Sequence, residues 1–202
     1  MRAPFEIEGH RTSVGEVAPA NWTQRPFELP GWVGHTVDTG DGPLSRWQIS
    51  VGLPRLGPRV PVRGNGLPAL YLLDGRLTFV VAAHIAQTVH AFSLGQLRPV
   101  AVVGISPATE DTGRLTTQRI RDLTPTSGLP SRLKAHATYG AGGAPDMLAL
   151  IREVIAPKLE SIYPLDPLDR GLGGISLGGL FACWALVSQP AGFRRYLARL
   201  FQ

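Results

Sequence analysis

The 202-residue sequence predicts an α/β domain with a mixed, mostly parallel sheet and helices on both faces. Three observations carry that expectation. Residues 69–73 and 100–105 are short, wholly apolar runs of the kind buried on both faces of a sheet. The segments between such runs carry helical spacing. Finally, Gly174-Ile175-Ser176-Leu177-Gly178 places a glycine-flanked serine where an expected strand hands over to an expected apolar helix.

The elements follow in chain order. Residues 1–32, with prolines at 4, 19, 26 and 30, have no usable period and read as an arm or edge segment; residues 33–202 form the domain. Gly34 to Gly42 reads as a strand running into a turn, and Arg46-Trp-Gln-Ile-Ser-Val-Gly-Leu alternates as a half-buried strand does, so these two pair antiparallel. The Pro/Gly/Arg stretch 54–66 is a loop before the apolar run Ala69 to Leu73. From Phe79 to Gln96 the spacing is helical, with Val81, Ile85, Val89 and Phe92 on one inward stripe. Val100 to Ile105 is a further strand, and Ser106 to Gly143 a long polar loop. An amphipathic helix spans Pro145 to Tyr163, with Pro157 expected to kink it or split its last turns. A short strand then ends at Ile175-Ser176, and a helix runs from Leu177 to about Ser188.

Composition narrows the function classes. With 44% hydrophobic and 17% charged residues, the chain suits one packed domain rather than a disordered segment. Lys and Arg outnumber Asp and Glu by 20 to 15, but 18 of the 20 are Arg, scattered from Arg2 to Arg199 without interleaved aromatics, so no nucleic-acid partner is expected. Cys183, the single cysteine, lies in the apolar run 180–186, which excludes a disulfide within the chain and a Cys-based metal site. The first residues have no apolar leader and no segment reaches the length of a membrane span, so the expectation is a cytoplasmic protein with no membrane partner.

The serine motif has a mechanical meaning. A hairpin-tight strand-to-helix turn forces the serine into a strained backbone conformation and crowds the residues two before and two after it, where only glycine fits. Ser176 is thereby the candidate nucleophile. The first N–H groups of the following helix have no partners within it, so the Leu177 N–H can donate to an oxyanion. A second donor commonly comes from the loop after an earlier strand, which nominates the N–H of Arg76 in Leu72-Leu73-Asp74-Gly75-Arg76; an ordinary Asp-Gly turn with a solvated arginine is the alternative reading.

A longer series of segments points the same way. Arg46 to Pro54, Tyr71-Leu-Leu-Asp-Gly, Arg119-Ile-Arg-Asp-Leu-Thr-Pro125, Gly142-Gly-Ala with the helix through Ile151-Arg-Glu-Val-Ile-Ala-Pro-Lys, and Arg170-Gly-Leu-Gly-Gly-Ile-Ser-Leu-Gly-Gly-Leu-Phe occur in one order between about residues 33 and 198. Together they resemble the α/β-hydrolase family that includes esterase D, the trilactone siderophore esterases and the antigen 85 mycolyltransferases, the siderophore-esterase branch most of all. The resemblance implies an α/β-hydrolase fold and hydrolysis of a carboxylic ester through an acyl-enzyme on Ser176, with no cofactor. It implies a small-molecule ester, anionic or a siderophore, and carries a substrate-contacting role to Arg119, for which an ion pair with Asp122 is the structural alternative. Arg114, Arg121, Arg132 and Lys134 would make the same loop electropositive or form a solvated basic face. Arg76 stands where siderophore esterases often have Asn.

A serine hydroxyl needs a base, and the chain order in this fold is serine, acid, histidine. From Leu177 to Gln202 there is no His, Asp or Glu; His10, His35, His84, His90 and His136 all precede the motif. His136 is the one whose loop could bring it to Ser176. The expectation is a C-terminally truncated hydrolase, with truncation or a reading-frame change near residue 197, inactive or nearly so, and with an unpaired apolar sheet edge that promotes self-association. A non-catalytic, ligand-binding relative of such esterases is the alternative.

Overall fold

A computed structural model describes residues 31–40, 45–54, 65–94 and 96–200. Of the expected arm 1–32, residues 1–30 lie outside the described residues, as does most of the 54–66 loop, and Trp32 already belongs to the first strand. Six strands form one sheet: β1 (Trp32–Asp38), β2 (Arg46–Gly52), β3 (Leu67–Leu73), β4 (Ala101–Pro107), β5 (Leu165–Ile175) and β6 (Arg195–Arg199). Their spatial order is β1-β2-β4-β3-β5-β6. β1 with β2 and β2 with β4 are antiparallel; β3 with β4, β3 with β5 and β5 with β6 are parallel, in the registers Tyr71↔Val103, Tyr71↔Leu172 and Leu172↔Tyr196. The antiparallel opening pair and the parallel remainder are as the sequence predicts.

Helices cover the two faces unequally. Among the described residues, α1 (Gly75–Phe92) is the one helix on its face, packing Phe79 and Ala83 against Leu72 and Val102. The other face carries α2 (Thr112–Leu123), α4 (Ala144–Ala149), α5 (Ala156–Ile162) and α6 (Leu177–Ser188), and here the main core joins Ile49, Tyr71, Val103 and Leu172 to Met147, Ile151, Leu159 and Phe181. A one-turn helix, α3 (Ser131–Lys134), lies between α2 and α4 and buries no residue.

The structure revises the α1 stripe. Phe79, Ala83 and His90 face inward, whereas Val81, Ile85, Val89 and Phe92 are exposed. The reason is close approach: an added Cβ at Gly104 would lie 2.6 Å from the Phe79 Cβ, and one at Gly52 would lie 3.0 Å from the Ala83 Cβ. The glycines on the sheet leave room for Phe79 and Ala83 of the helix to lie against it, so that side of the helix faces inward and the side with Val81, Ile85, Val89 and Phe92 faces away.

Other departures have similarly local causes. The polar stretch after β4 contains α2, whose buried side is partly polar (Thr117, Gln118, Asp122) beside Ile120 and Leu123, and whose start is capped by the Asp111 carboxylate accepting from the Arg114 N–H at 3.0 Å. The helix containing Pro157 is not broken; a π-helical segment, Leu150–Ile155, joins α4 to α5 immediately before it, widening the hydrogen-bond register where proline offers no N–H. β5 is longer than expected, with a register shift opposite Leu67 and Ala69. β6 was not anticipated at all, and it moves the sheet edge outward by one short strand.

Candidate active site

β5 ends at Ile175 and α6 begins at Leu177, leaving Ser176 alone to turn the chain through φ 59°, ψ −116°. Few residues other than glycine adopt this conformation, and holding it costs on the order of 1–3 kcal/mol. The surroundings fix it. The Ser176 N–H donates to the Arg199 carbonyl at 2.8 Å, the Leu180 N–H donates to the Ser176 carbonyl at 2.9 Å, and Ser176 is exposed.

The glycines permit that turn. A Cβ on Gly174 would stand 2.4 Å from the carbonyl carbon and oxygen of Gly178, and a Cβ on Gly179 would stand 2.5 Å from the Arg199 oxygen. Both clashes are with backbone, which cannot step aside. Ser176 thus sits at the carboxyl ends of the parallel strands, the rim where α/β sheets carry their sites, at the positive end of α6. The Leu177 N–H belongs to the first turn of α6 and has no acceptor within the helix.

The β3–α1 turn lies against this elbow. Asp74 adopts a left-handed conformation (φ 57°, ψ 42°), and its carbonyl accepts from the Leu77 N–H at 2.8 Å. Its carboxylate, 5% exposed, accepts from Nε and Nη2 of Arg119, the latter at 2.9 Å. A Cβ on Gly178 would lie 3.2 Å from the same carboxylate. Arg119 is therefore held by Asp74, not by the Asp122 weighed from the sequence. Asp122 instead takes a bidentate bond from Arg121 at 2.6 and 2.9 Å, while burial raises its carboxyl above the ordinary range, an effect the Arg121 bond opposes. Trp47, Ile105, Pro107 and Met147 complete the crevice around Asp74 and Arg119.

Arg76 is placed differently from the sequence reading. Its N–H donates to the Ser106 hydroxyl oxygen at 2.7 Å, and Ser106 is 2% exposed. Ser106 thereby caps the start of α1 from the neighbouring strand, a role that Asp74, with no side-chain cap bond, leaves open. The Arg76 guanidinium reaches Glu110 at 2.7 Å and holds that carboxyl below its usual range. Sequence reasoning missed both Asp74 as the partner of Arg119 and Ser106 as the acceptor for Arg76; the Asp-Gly turn was visible, but not which distant side chains would close on it.

Of the basic cluster, Arg114 lies 4.0 Å from Asp111 and Arg121 is paired, while Arg132 and Lys134 are exposed. None of the histidines among the described residues hydrogen-bonds Ser176: His35 meets the Tyr163 hydroxyl at 2.7 Å, His90 Nδ1 meets the Leu97 carbonyl at 3.0 Å, and His84 and His136 are exposed. Among the described residues no group of three or more His, Cys, Asp and Glu side chains could hold a metal ion, and no helix is long and apolar enough to cross a membrane.

A six-stranded mixed sheet in this order, with a strained serine on the turn after β5, defines the α/β-hydrolase class. Comparison with known proteins agrees: residues 45–198 match the family model described as "Putative esterase", and the chain belongs to that family. It is similar to the ferri-bacillibactin esterase BesA of Bacillus subtilis, 33% identical over 146 residues, covering 70% of this chain and 50% of that protein. It is similar also to the siderophore enterobactin esterase of Emericella nidulans, 30% identical over 171 residues, covering 78% and 53%. Among solved structures, the siderophore hydrolase EstA from Aspergillus nidulans superposes with a TM-score of 0.71 at 26% identity, covering 89% of this chain and 61% of that one. The chain spans about half the length of the curated relatives it matches.

Proposed function

We propose that this chain carries the nucleophile and the oxyanion-binding turn of a serine esterase acting on a siderophore-type ester. The observation that carries the reading is Ser176, exposed and held at φ 59°, ψ −116° at the rim of the sheet. The substrate class rests on the relatives, whose names specify bacillibactin and enterobactin esterases.

In the proposed reaction Ser176 Oγ attacks the ester carbonyl carbon as a base removes its proton, and the carbonyl oxygen becomes an oxyanion. The Leu177 N–H, aided by the positive end of α6, stabilises that charge. The alkoxide then leaves with a proton, an acyl group stays on Ser176, and water releases it by the same steps in reverse. Arg76 enters as second donor only if the oxyanion displaces or shares the Ser106 hydroxyl that accepts its N–H. Arg119, fixed by Asp74 through Nε and Nη2, can offer a ligand only the N–H groups that pairing leaves on Nη1 and Nη2; we assign it first to bracing the β3–α1 turn against the elbow.

The 202 residues place no histidine against Ser176 among the described residues, and residues 177–202 contain no His, Asp or Glu. Turnover by these residues alone is therefore proposed to be slow. The direct experiment is hydrolysis of a short aryl ester by the purified chain with and without added imidazole. Imidazole-stimulated turnover that disappears in Ser176→Ala supports the reading; equal rates for both proteins overturn it. Ligand binding unchanged by Ser176→Ala with no turnover under any condition would favour a non-catalytic binding role.

A further inference from the structure

We infer that the Arg76 guanidinium is an exchangeable anion-binding group on the rim of the site, taking a carboxylate carried by the ester substrate in place of its internal partner Glu110. The substrate named here rests on the esterase reading proposed above. Arg76 donates through Nη1 to the Thr109 carbonyl and to Glu110 Oε1 at 3.1 Å, and through Nη2 to Glu110 Oε2 at 2.7 Å. It thus presents the two-pronged face that fits a carboxylate. The two partners are held very differently: the arginine side chain is 33% exposed, the Glu110 side chain 89%. Among the described residues Arg76 is the sole partner of that carboxylate. In the pairs that brace the fold the acid is instead the less exposed member: Asp74 with Arg119, Asp169 with Arg98 and Arg195, and Glu160 with Arg170. Those acids are fixtures, whereas Glu110 is the replaceable half of its pair.

Position makes this face useful. Arg76 follows the β3 turn and meets Glu110 beyond the end of β4, while Ser176 stands at the end of β5. β4 and β5 flank β3, and neighbouring strands are ~4.8 Å apart, so the two ends are separated along the rim by about 10 Å. An ester whose carbonyl reaches Ser176 can lay a carboxylate on Arg76 when an extended chain of about that length joins the two. Exchange costs little, because water and salt screen an exposed ion pair. It also leaves the neighbouring helix intact, since α2 is capped by Asp111, which accepts from the Arg114 N–H, and not by Glu110. One carboxylate replaces another on Arg76 while Glu110 moves into solvent. A neutral ester has no group with which to displace it. The pair therefore acts as a filter for anionic esters, and Glu110 is the internal competitor that sets its strength.

Calorimetric titration in a Ser176→Ala background reads this subsite without turnover. The probe is the p-nitrophenyl half-ester of azelaic acid, whose extended chain matches the spacing along the rim, and its methyl ester is the neutral control. The half-ester should bind more tightly than the methyl ester. Glu110→Gln should raise that preference roughly three- to fivefold by removing the competitor, Arg76→Met should abolish it, and the double variant should behave as Arg76→Met does. Glu153→Gln, which removes an exposed carboxylate elsewhere, should leave the preference where it was and so separates local competition from net charge. The same preference in all of these proteins overturns the proposal, as does failure of the half-ester to bind. A lower Tm for Glu110→Gln with no change in preference also overturns it, marking the pair as a clamp between two turns. Turnover of the half-ester that persists in Ser176→Ala would defeat the esterase reading without moving the preference, so the two failures are distinguishable.

Discussion

Replacing Ser176 with glycine should make this protein more stable. At φ 59°, ψ −116° a residue with a Cβ carries about 1–3 kcal/mol of strain, which glycine does not. Glycine gives back roughly 0.5–1 kcal/mol through the greater freedom of the unfolded chain. The net gain is then about 1 kcal/mol, and for a chain of this size each kcal/mol moves Tm by about 2–4 °C. Ser176→Ala is the matched control, since it removes the hydroxyl but keeps the Cβ and hence the strain. Thermal unfolding of the three proteins, followed by circular dichroism at one fixed concentration because association shifts Tm, should rank Ser176→Gly above the parent and Ser176→Ala beside it. A Tm for Ser176→Gly at or below that of Ser176→Ala would show that the turn is not strained and that nothing forces the hydroxyl outward.

Three further outcomes follow from the same neighbourhood. Gly174→Ala drives a Cβ to 2.4 Å from the Gly178 backbone and should cost about 3 kcal/mol by thermal or urea unfolding, whereas Gly178→Ala, with its nearest contacts at 3.2 Å, should cost clearly less. Arg119→Ala leaves the Asp74 carboxylate buried without its partner; the full penalty for breaking a buried pair is ~3–5 kcal/mol, and the partial exposure of Arg119 reduces it to about 2–3. Asp74→Asn combined with Arg119→Met should recover most of that loss, and an unchanged Tm with weakened ligand binding would instead mark Arg119 as a substrate contact. Ser106→Ala uncaps the Arg76 N–H and should cost about 1 kcal/mol of stability while raising imidazole-stimulated ester hydrolysis, because the second donor becomes free; stability lost with no gain in hydrolysis would exclude Arg76 from the oxyanion site.

What the sequence revealed was local. The buried runs around Tyr71 and Val103, the alternation in β2 and the glycine-flanked serine each carry their signal within a few residues, and each forms as expected. What it hid depends on distant surfaces. The helical spacing puts Val81, Ile85, Val89 and Phe92 on one stripe, but Gly52 and Gly104 open the sheet surface to Phe79 and Ala83, which face it instead. The α2 segment reads as loop in the sequence because its buried side includes Thr117, Gln118 and Asp122, polar groups whose burial no periodicity discloses. β6 is too short and too rich in arginine to read as a strand until β5 offers it a parallel partner. In the candidate site, the tight turn between β5 and α6 at Ser176 is legible in the pentapeptide; that Asp74 holds Arg119, and Ser106 the Arg76 N–H, depends on strand order, which the sequence does not state.

The most direct measurement is fluorophosphonate labelling of the purified chain with the modified residue located by mass spectrometry. The expected result is a single adduct on Ser176 that forms slowly, accelerates with added imidazole and is absent from Ser176→Ala. Adducts spread over other serines and tyrosines, or no Ser176 adduct at any imidazole concentration, would contradict a nucleophile presented at this turn.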